Sequence, residues 1–363
     1  MIISSLFSTI ITTIHVLFSV FLIITAYSSY FSIDRFPILS ILGLGFPIAL
    51  FCYILFTLGL KIFRLKKFSY TIIVLLIISP QIYKYIPFNF PQNIPENSLK
   101  VVSYNVMGFA GAKKDKNGEN KILEYLKNSD ADIICIQEYA EGYGKNCLKK
   151  RDIVDKLSAY PYYKIHPVGS KNSINQLAIF SKYPIKKAEP IKYNSSYNGS
   201  VAYELNINGD RVLVVNNHFE SNKITQKDKV VYEKILKLDD EKDKLIKGSK
   251  KLMQKLIEAS LIRKDQAEIV NKYIAEKEIE TIILCGDFND SPLSYTNRLL
   301  GKELRNAFVE SGTGLGISYN QNKFYFRIDN ILISKNLKTY HTVVDNSISE
   351  SDHYPIWCYV GKR

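Results

Sequence analysis

Cysteine is scarce in this chain. Cys52, Cys135, Cys147, Cys285 and Cys358 are spread over 363 residues, odd in number and with no CxxC pair, so neither a disulfide framework nor a cysteine-built zinc site is expected. Cys135 and Cys285 fall inside strand-like apolar runs, where a thiol serves as a small hydrophobe. A phosphate-cradling glycine loop is missing too. GTGLG, residues 312–316, neither follows a strand nor opens a helix, which excludes a dinucleotide or P-loop site there. Charge is absent from Met1 to Ile33 and again from Phe36 to Leu60.

Each of those uncharged runs is long enough to cross a bilayer, which takes about 20 apolar residues. A third apolar stretch, Phe68 to Tyr83, is shorter and runs into Lys84 and the proline-containing PFNFPQNIPEN. The N-terminus lacks the basic start and small-residue cleavage site of a removable signal, so the helices are expected to stay. Lys61, Arg64, Lys66 and Lys67 crowd the connection between the second and third stretches, and such clusters stay in the cytoplasm. The expected organisation is a transmembrane helical region of about three spans over residues 1–88, a linker at 89–98 and a folded domain at 99–363. With three crossings that domain is extracytoplasmic; with two it is cytoplasmic. The formal charge of +13 divides into +4 for residues 1–98 and +9 for the rest. That basicity suits a phosphate-bearing partner or an anionic membrane surface, or is no more than lysine solvated on helix faces.

In the folded domain, apolar runs end repeatedly in polar groups. LKVVSY leads to Asn105, ADIICIQEY carries Gln137 and Glu138, and RVLVV leads to Asn216, Asn217 and His218. TIILC breaks at Gly286 and delivers Asp287, Asn289 and Asp290. Phe324 to Ser334 reads as a strand interrupted by Arg327 and Asp329, and Ser351, Asp352, His353 and Pro355 precede a last strand, Ile356 to Val360. Val201–Ile207 and Arg211–Val215 should pair about a turn at Asn208, Gly209 and Asp210. Residues 222–280 read as charged helix, with apolar positions such as Ile235, Leu238, Leu252 and Ile269 at helical spacing and a break at Gly248 and Ser249. Asn, Asp and Gly are also ordinary turn formers, yet six strand ends carrying oxygen or imidazole ligands are what a hard-cation site with acid/base groups needs.

The motif order SYNV, IQE, NNHFES, GDFND, RID and SDHYP, from residue 103 to 355, resembles the endonuclease/exonuclease/phosphatase superfamily, and within it a bacterial subgroup with N-terminal membrane helices. The resemblance implies a four-layered α/β sandwich, two packed mixed sheets flanked by helices. It implies Glu138 as the principal Mg²⁺ ligand, with Asn105 and Asp352 near the same cation and Mn²⁺ an alternative metal. Asp287 and Asn289 would orient the attacking water and contact the phosphate, His353 would pair with Asp329, and His218 would be the second imidazole, beside Asn216. Asn330 stands where the family usually has an aromatic residue. The implied function is a membrane-anchored, Mg²⁺-dependent phosphodiesterase or phosphatase, bound to the bilayer through its N-terminal helices. Its substrate, whether nucleic acid, lipid headgroup or soluble phosphoester, stays open, and no protein partner is inferable. The competing reading is a catalytically silent, membrane-tethered binding protein that keeps the fold.

Overall fold

The computed structural model describes residues 2–62, 68–144, 146–171, 173–225, 228, 230, 242–321 and 325–363. Three helices come first, α1 (Ile2–Ala26), α2 (Leu42–Ile62) and α3 (Phe68–Tyr85). The domain that follows contains β1 (Leu99–Asn105), β2 (Ile133–Tyr139), β3 (Tyr162–Pro167), β4 (Gln176–Ser181), β5 (Ile185–Ile191) and β6 (Gly199–Ile207). It continues with β7 (Asp210–His218), β8 (Thr281–Asp287), β9 (Arg305–Asn306), β10 (Asp329–Ile333), β11 (Leu337–Val344) and β12 (Ile356–Lys362). Its helices are α4 (Lys121–Asn128), α5 (Lys150–Lys156), α6 (Lys242–Ala275), α7 (Tyr295–Leu300) and α8 (Ala307–Ser311).

The strands form two six-stranded sheets, ordered β11-β12-β1-β2-β4-β3 and β5-β6-β7-β8-β10-β9. Both are mixed, because β1 runs parallel to β2 and β7 parallel to β8 while their other neighbours are antiparallel. Side chains alternate across a strand, and here the alternation builds three apolar layers. Val101, Ile133, Cys135, Val214, Ile283, Cys285, Ile331 and Cys358 fill the space between the sheets. Val102, Ile134 and Ile136 face outward onto Ile122, Leu123 and Leu126 of α4. Leu213, Val215 and Leu284 face outward onto Val270 and Ile274 of α6. Helix, sheet, sheet and helix make the expected four-layered sandwich.

Several local expectations hold, and others are corrected. β6 and β7 pair through Ile207↔Asp210, with Asn208 and Gly209 at φ 53° and 97°, the left-handed pair such a tight hairpin needs. Helix α6 passes through Gly248 and Ser249 without a break, since one glycine costs a helix only about 1 kcal/mol. Ile235 and Leu238 lie outside the described residues, as do Arg64, Lys66 and Lys67. The strand expected from Phe324 begins only at Asp329; Phe326 makes an isolated bridge to Tyr319, and Phe324 is not described. Strands β5 and β11 went unread because they lie at sheet edges, where polar residues and Pro190 mask the pattern.

Helices α1 to α3 form a bundle that carries apolar side chains on its outer surface as well as in its core, with Leu17, Phe51 and Leu76 more than 60% exposed. Leu6–Ala26 and Pro37–Ile62 are long and apolar enough to cross a membrane, while Tyr70–Tyr85 is shorter. Inside the bundle His15 Nε2 lies 3.1 Å from the Tyr53 hydroxyl and 3.3 Å from Thr71 Oγ1, polar contacts of the kind that join helices in lipid. The C-terminal end of α1, the N-terminal end of α2 and the C-terminal end of α3 all meet the domain. Leu293 is buried in the bundle core, Arg298 Nε donates to the Ser29 carbonyl at 2.7 Å, and Lys264 pairs with Asp34 at 2.9 Å. The stretch expected as a linker is docked as well: Asn89 Nδ2 donates to the carbonyls of Val309 and Gly312 at 3.1 and 2.6 Å.

Gly286 is the tightest backbone contact on the route to the site. It has φ 132°, and a Cβ there would stand 1.9 Å from the Asn217 carbonyl oxygen on the neighbouring strand. Gly286→Ala is therefore expected to lower the thermal unfolding midpoint well beyond the effect of a typical substitution, about 1 kcal/mol, because β7 and β8 must separate to admit the methyl group. An unshifted melting curve would contradict this.

Candidate functional site

The strand pattern that fills the inter-sheet core also delivers the site. On β1, Val101 and Ser103 face inward, and Asn105 is next in that row. On β8 the row is Ile283, Cys285, Asp287; on β7 it is Val214, Asn216, His218; on β10 it starts at Asp329 and continues into Ile331 and Ile333. Polar groups replace apolar ones where each row reaches the end of the sandwich. Glu138 breaks the rule. Alternation would point it outward with Ile134 and Ile136, but the β2–β4 pairing shifts register between Ile136 and Tyr139, and Glu138 has φ 52°. This bulge turns its carboxylate toward the other sheet.

The structure brings the sequence-derived residues together in one cluster. Asn105 Nδ2 donates to Glu138 Oε1 at 3.2 Å and to Asp287 Oδ2 at 3.1 Å. His353 Nδ1 lies 2.8 Å from Asp329 Oδ2, and its Nε2 lies 3.6 Å from Asp287 Oδ2. His218 Nε2 is 3.7 Å from both Glu138 Oε1 and Asp287 Oδ2. Asp352 is close enough to raise the pKa of Glu138 and of His353 through its charge. Asn216 and Asn289 have their amides committed elsewhere. Asn216 Nδ2 donates to the carbonyls of Ile136 and Ala178, and Asn289 Nδ2 to that of Phe219, while the Asn289 N–H holds Asp287 Oδ1 at 2.8 Å.

Burial and charge divide the two imidazoles. Burial pushes the His218 pKa down, and Asn175 Nδ2 donates to its Nδ1 at 3.1 Å, leaving the proton on Nε2, which faces the carboxylates. Burial opposes charge on His353 too, but Asp329 and Asp287 outweigh it and push its pKa up to about 10. Asp287 is raised by burial to about 6, partly offset by His353. Burial likewise raises Glu138, against the Asn105 hydrogen bond.

The residues present fit a divalent cation. Glu138, Asp287, Asp329 and Asp352 are four carboxylates gathered around one cationic imidazole, and Asp329 Oδ1 is buried without a hydrogen-bond partner. Oxygen donors of this kind suit Mg²⁺ or Mn²⁺ rather than a soft metal. Ligand atoms of Asp287, Asp329 and His353 lie within 4.8 Å of one another. In that trio, however, the His353–Asp329 pair cancels one charge and leaves only the Asp287 carboxylate uncompensated. Glu138 has its side chain about a quarter exposed, with Asn105 in hydrogen-bond contact and Asp352 near enough to act on it through its charge. Beside Glu138 opens a cleft of about 470 Å³, lined by Met107, Ala140, Tyr143, Ile174 and Tyr197 among others, with Glu138 and Glu141 the charged residues among the described ones that line it.

Residues 102–353 match the family described as the Endonuclease/Exonuclease/phosphatase family. The chain belongs to that family. Membership makes this endonuclease/exonuclease/phosphatase protein a hydrolase of phosphoric ester bonds. Residues 8–85 separately match a domain of unknown function (DUF8431). No curated protein matches the chain. Among solved structures, the human nocturnin catalytic domain with bound sulfate anion is 15% identical with a TM-score of 0.51, over 75% of this chain and 97% of that one. Humanized D. rerio TDP2 is 16% identical with a TM-score of 0.49, over 73% and 99% of the two chains. An endonuclease/exonuclease/phosphatase from Bacteroides vulgatus is 14% identical with a TM-score of 0.49, over 74% and 100%. At such identities the likeness is one of fold.

Of the residues that hold the site, Asn175 and Arg263 escaped the sequence, and Gln137 was legible as a strand-end polar group but not in its role. Asn175 holds His218 from a loop, where an asparagine looks like any turn residue. Gln137 Nε2 donates to Asn216 Oδ1 at 2.7 Å, and its place beside Glu138 was the only hint. Arg263, on α6, stands 3.3 Å from Asp290 Oδ2 and donates to the Glu220 carbonyl at 3.0 Å, bracing two site loops. The His353 pKa has a stability consequence. Raised from 6.5 to about 10, the imidazole contributes stability fully present below about pH 6.5 and lost as pH rises toward 10. With chelator present, the thermal unfolding midpoint is expected to fall as pH rises across that window in the wild type and much less in Asp329→Asn; parallel curves would contradict the assignment.

Proposed function

We propose that the chain is a membrane-anchored, Mg²⁺-dependent phosphodiesterase or phosphatase whose domain, residues 99–363, works on the extracytoplasmic side. The observation that carries the chemistry is the excess of carboxylates around a single imidazolium at one end of the sandwich. A phosphodiester resists attack because its oxygens are anionic, and a divalent cation held by Glu138, Asn105 and Asp352 would neutralise that charge when bound.

The chain's own residues supply the rest. Asp287 is ionised above about pH 6 and, held in place by the N–H groups of Asn105 and Asn289, takes the proton of the attacking water as its oxygen bonds to phosphorus; the ester P–O bond breaks and the leaving oxygen takes a proton from bulk water. His353, kept cationic by Asp329, donates toward a phosphoryl oxygen. His218 offers its Nε2 proton from the opposite side, steadied by Asn175. Asn216 acts at one remove, fixing the position of the strand that carries His218.

Topology supports the placement. The ends of α1, α2 and α3 that meet the domain are the same ends that three crossings would bring to one face, and Lys61 lies at the other end of α2. Among its described lining residues the cleft beside Glu138 has Met107, Ile174, Tyr143 and Tyr197 but no lysine or arginine, which favours a phosphoester with an apolar organic part, such as a lipid, over a polyanionic strand. The basic charge of the domain speaks for nucleic acid and keeps that substrate in the comparison. The silent-binder reading is disfavoured because every motif position is retained.

The full-length protein in detergent should hydrolyse bis-p-nitrophenyl phosphate with Mg²⁺ or Mn²⁺ and stop with chelator. Glu138→Ala and His353→Ala should each reduce turnover by roughly 100-fold or more, the scale of lost general acid–base catalysis. Turnover unchanged in both variants would sink the enzyme mechanism. In a substrate panel, phospholipid should outpace single- and double-stranded DNA and RNA, and the reverse order would overturn the lipid preference. Protease applied to intact cells should cut within residues 99–363; protection would place the domain inside.

A further inference from the structure

Arg327 belongs to the RID segment, yet it takes no part in the cluster two residues away. Its guanidinium is 2% exposed and forms no salt bridge to a carboxylate among the described residues. It lies over the Phe308 ring, 4.4 Å from the centroid, and is met by main-chain carbonyls. Nη1 donates to Leu315 at 2.8 Å and to Tyr85 at 3.2 Å, and Nη2 to Lys84 at 2.6 Å. Lys84 and Tyr85 are the last two residues of α3. Carbonyls at a helix C-terminus lack intrahelical partners and carry the negative end of its dipole, so the end of α3 provides the compensation an ion pair would otherwise give.

From Arg327 the chain passes through one residue to Asp329. Both Ile328 N and Asp329 N donate to Ser318 Oγ at 3.0 Å, and the Ile328 carbonyl accepts from Phe288 N at 2.9 Å. Asp329 then pairs in register with Asp287 and holds His353 Nδ1. A shift of Arg327 is thus transmitted to Asp329 with little slack. Arg298 is the useful contrast: it reaches the helical segment at the Ser29 carbonyl and stacks on Tyr30, but lies on α7 and on no strand of the site.

We propose that Arg327 is a positioning residue through which the end of α3 sets the Asp329–His353 pair, making the helical segment a working part of the catalytic unit as well as its anchor. The inference rests on the catalytic reading of that pair given above. The test uses the full chain in detergent with Mg²⁺ and bis-p-nitrophenyl phosphate, comparing Arg327→Met, Arg327→Lys, Arg298→Met and His353→Asn. Arg327→Met should lose kcat by roughly tenfold or more with KM nearly unchanged, since small misplacements at a reacting centre cost up to about 100-fold. Arg327→Lys, which keeps the charge but only part of the hydrogen bonding, should recover part of the loss, and Arg298→Met should stay within about twofold of wild type.

A folded Arg327→Met with wild-type kcat, a loss confined to KM, or an equal loss in Arg298→Met would overturn the inference. Wild-type turnover in His353→Asn would instead overturn the reading of the pair, and this inference with it. Should Arg327→Met not fold, one alanine inserted after Ile82 turns the end of α3 by about 100° and leaves the arginine in place. The same loss of kcat is expected there, and wild-type kcat in that folded variant overturns the proposal.

Discussion

Everything at the candidate site depends on how the two sheets are registered, and a buried amide bridge fixes that register. Gln137 on β2 donates to Asn216 on β7 at 2.7 Å and to Ser103 on β1 at 3.1 Å, while Asn216 donates back to the Ile136 and Ala178 carbonyls. All four side-chain and backbone partners are sealed from solvent. The apolar layer below them holds the sheets together, but hydrophobic contact is non-directional and tolerates sliding. An amide does not, because a buried donor left unmatched costs about 1–3 kcal/mol. Glu138 follows Gln137 directly and His218 lies two residues beyond Asn216, so the bridge that sets the register also sets the spacing of the functional groups.

The site also stores backbone strain. Glu138 and Asn289 both lie in the left-handed region, and Met107 to Ala112 occupy it in unbroken succession, with φ between 46° and 74°. Such a conformation costs an L-residue about 1–2 kcal/mol, and strain persists only where the surroundings dictate it. Here they do: Val106 N donates to the Gln137 carbonyl at 3.1 Å and Met107 N to Asn105 Oδ1 at 3.2 Å. The left-handed turn leaves Met107 at the rim of the cleft beside Glu138. One set of hydrogen bonds thus anchors the asparagine that bridges Glu138 and Asp287 and shapes the wall next to it.

What could be read from the sequence follows from the period of a strand. Asp287 stands two residues after Cys285, Asn105 two after Ser103, and Asp329 two before Ile331, so once the apolar rows are seen their polar ends lie on the same face. The tight Asn208–Gly209 hairpin was legible for a similarly local reason. Glu138 was legible as a costly buried carboxylate, but the bulge that aims it was not, because a bulge is a property of two paired strands. Asn175, Arg263 and Arg327 act through contacts made only after distant segments meet. The unbroken helix through Gly248 is the reverse case, where a local signal worth only about 1 kcal/mol was too weak to stop a long helix.

The charge of the domain and the charge of its site have opposite signs, and that difference constrains how phosphate can be held. The domain is basic overall, yet the two fully buried arginines beside the motifs are used elsewhere, Arg263 on Asp290 and the Glu220 carbonyl, Arg327 on the end of α3. Among the described residues, the carboxylates of Asp287 and Glu138 meet only amides and imidazoles. An anionic ester approaching that cluster is repelled until positive charge is added, and His353 alone is outnumbered. Surface lysines can draw a phosphoester toward the domain, but screening limits their effect to about 10 Å at ordinary ionic strength. On the metal-dependent reading proposed above, a cation held by Glu138, Asn105 and Asp352 would supply that charge when bound, and those residues would then act on substrate affinity as much as on turnover.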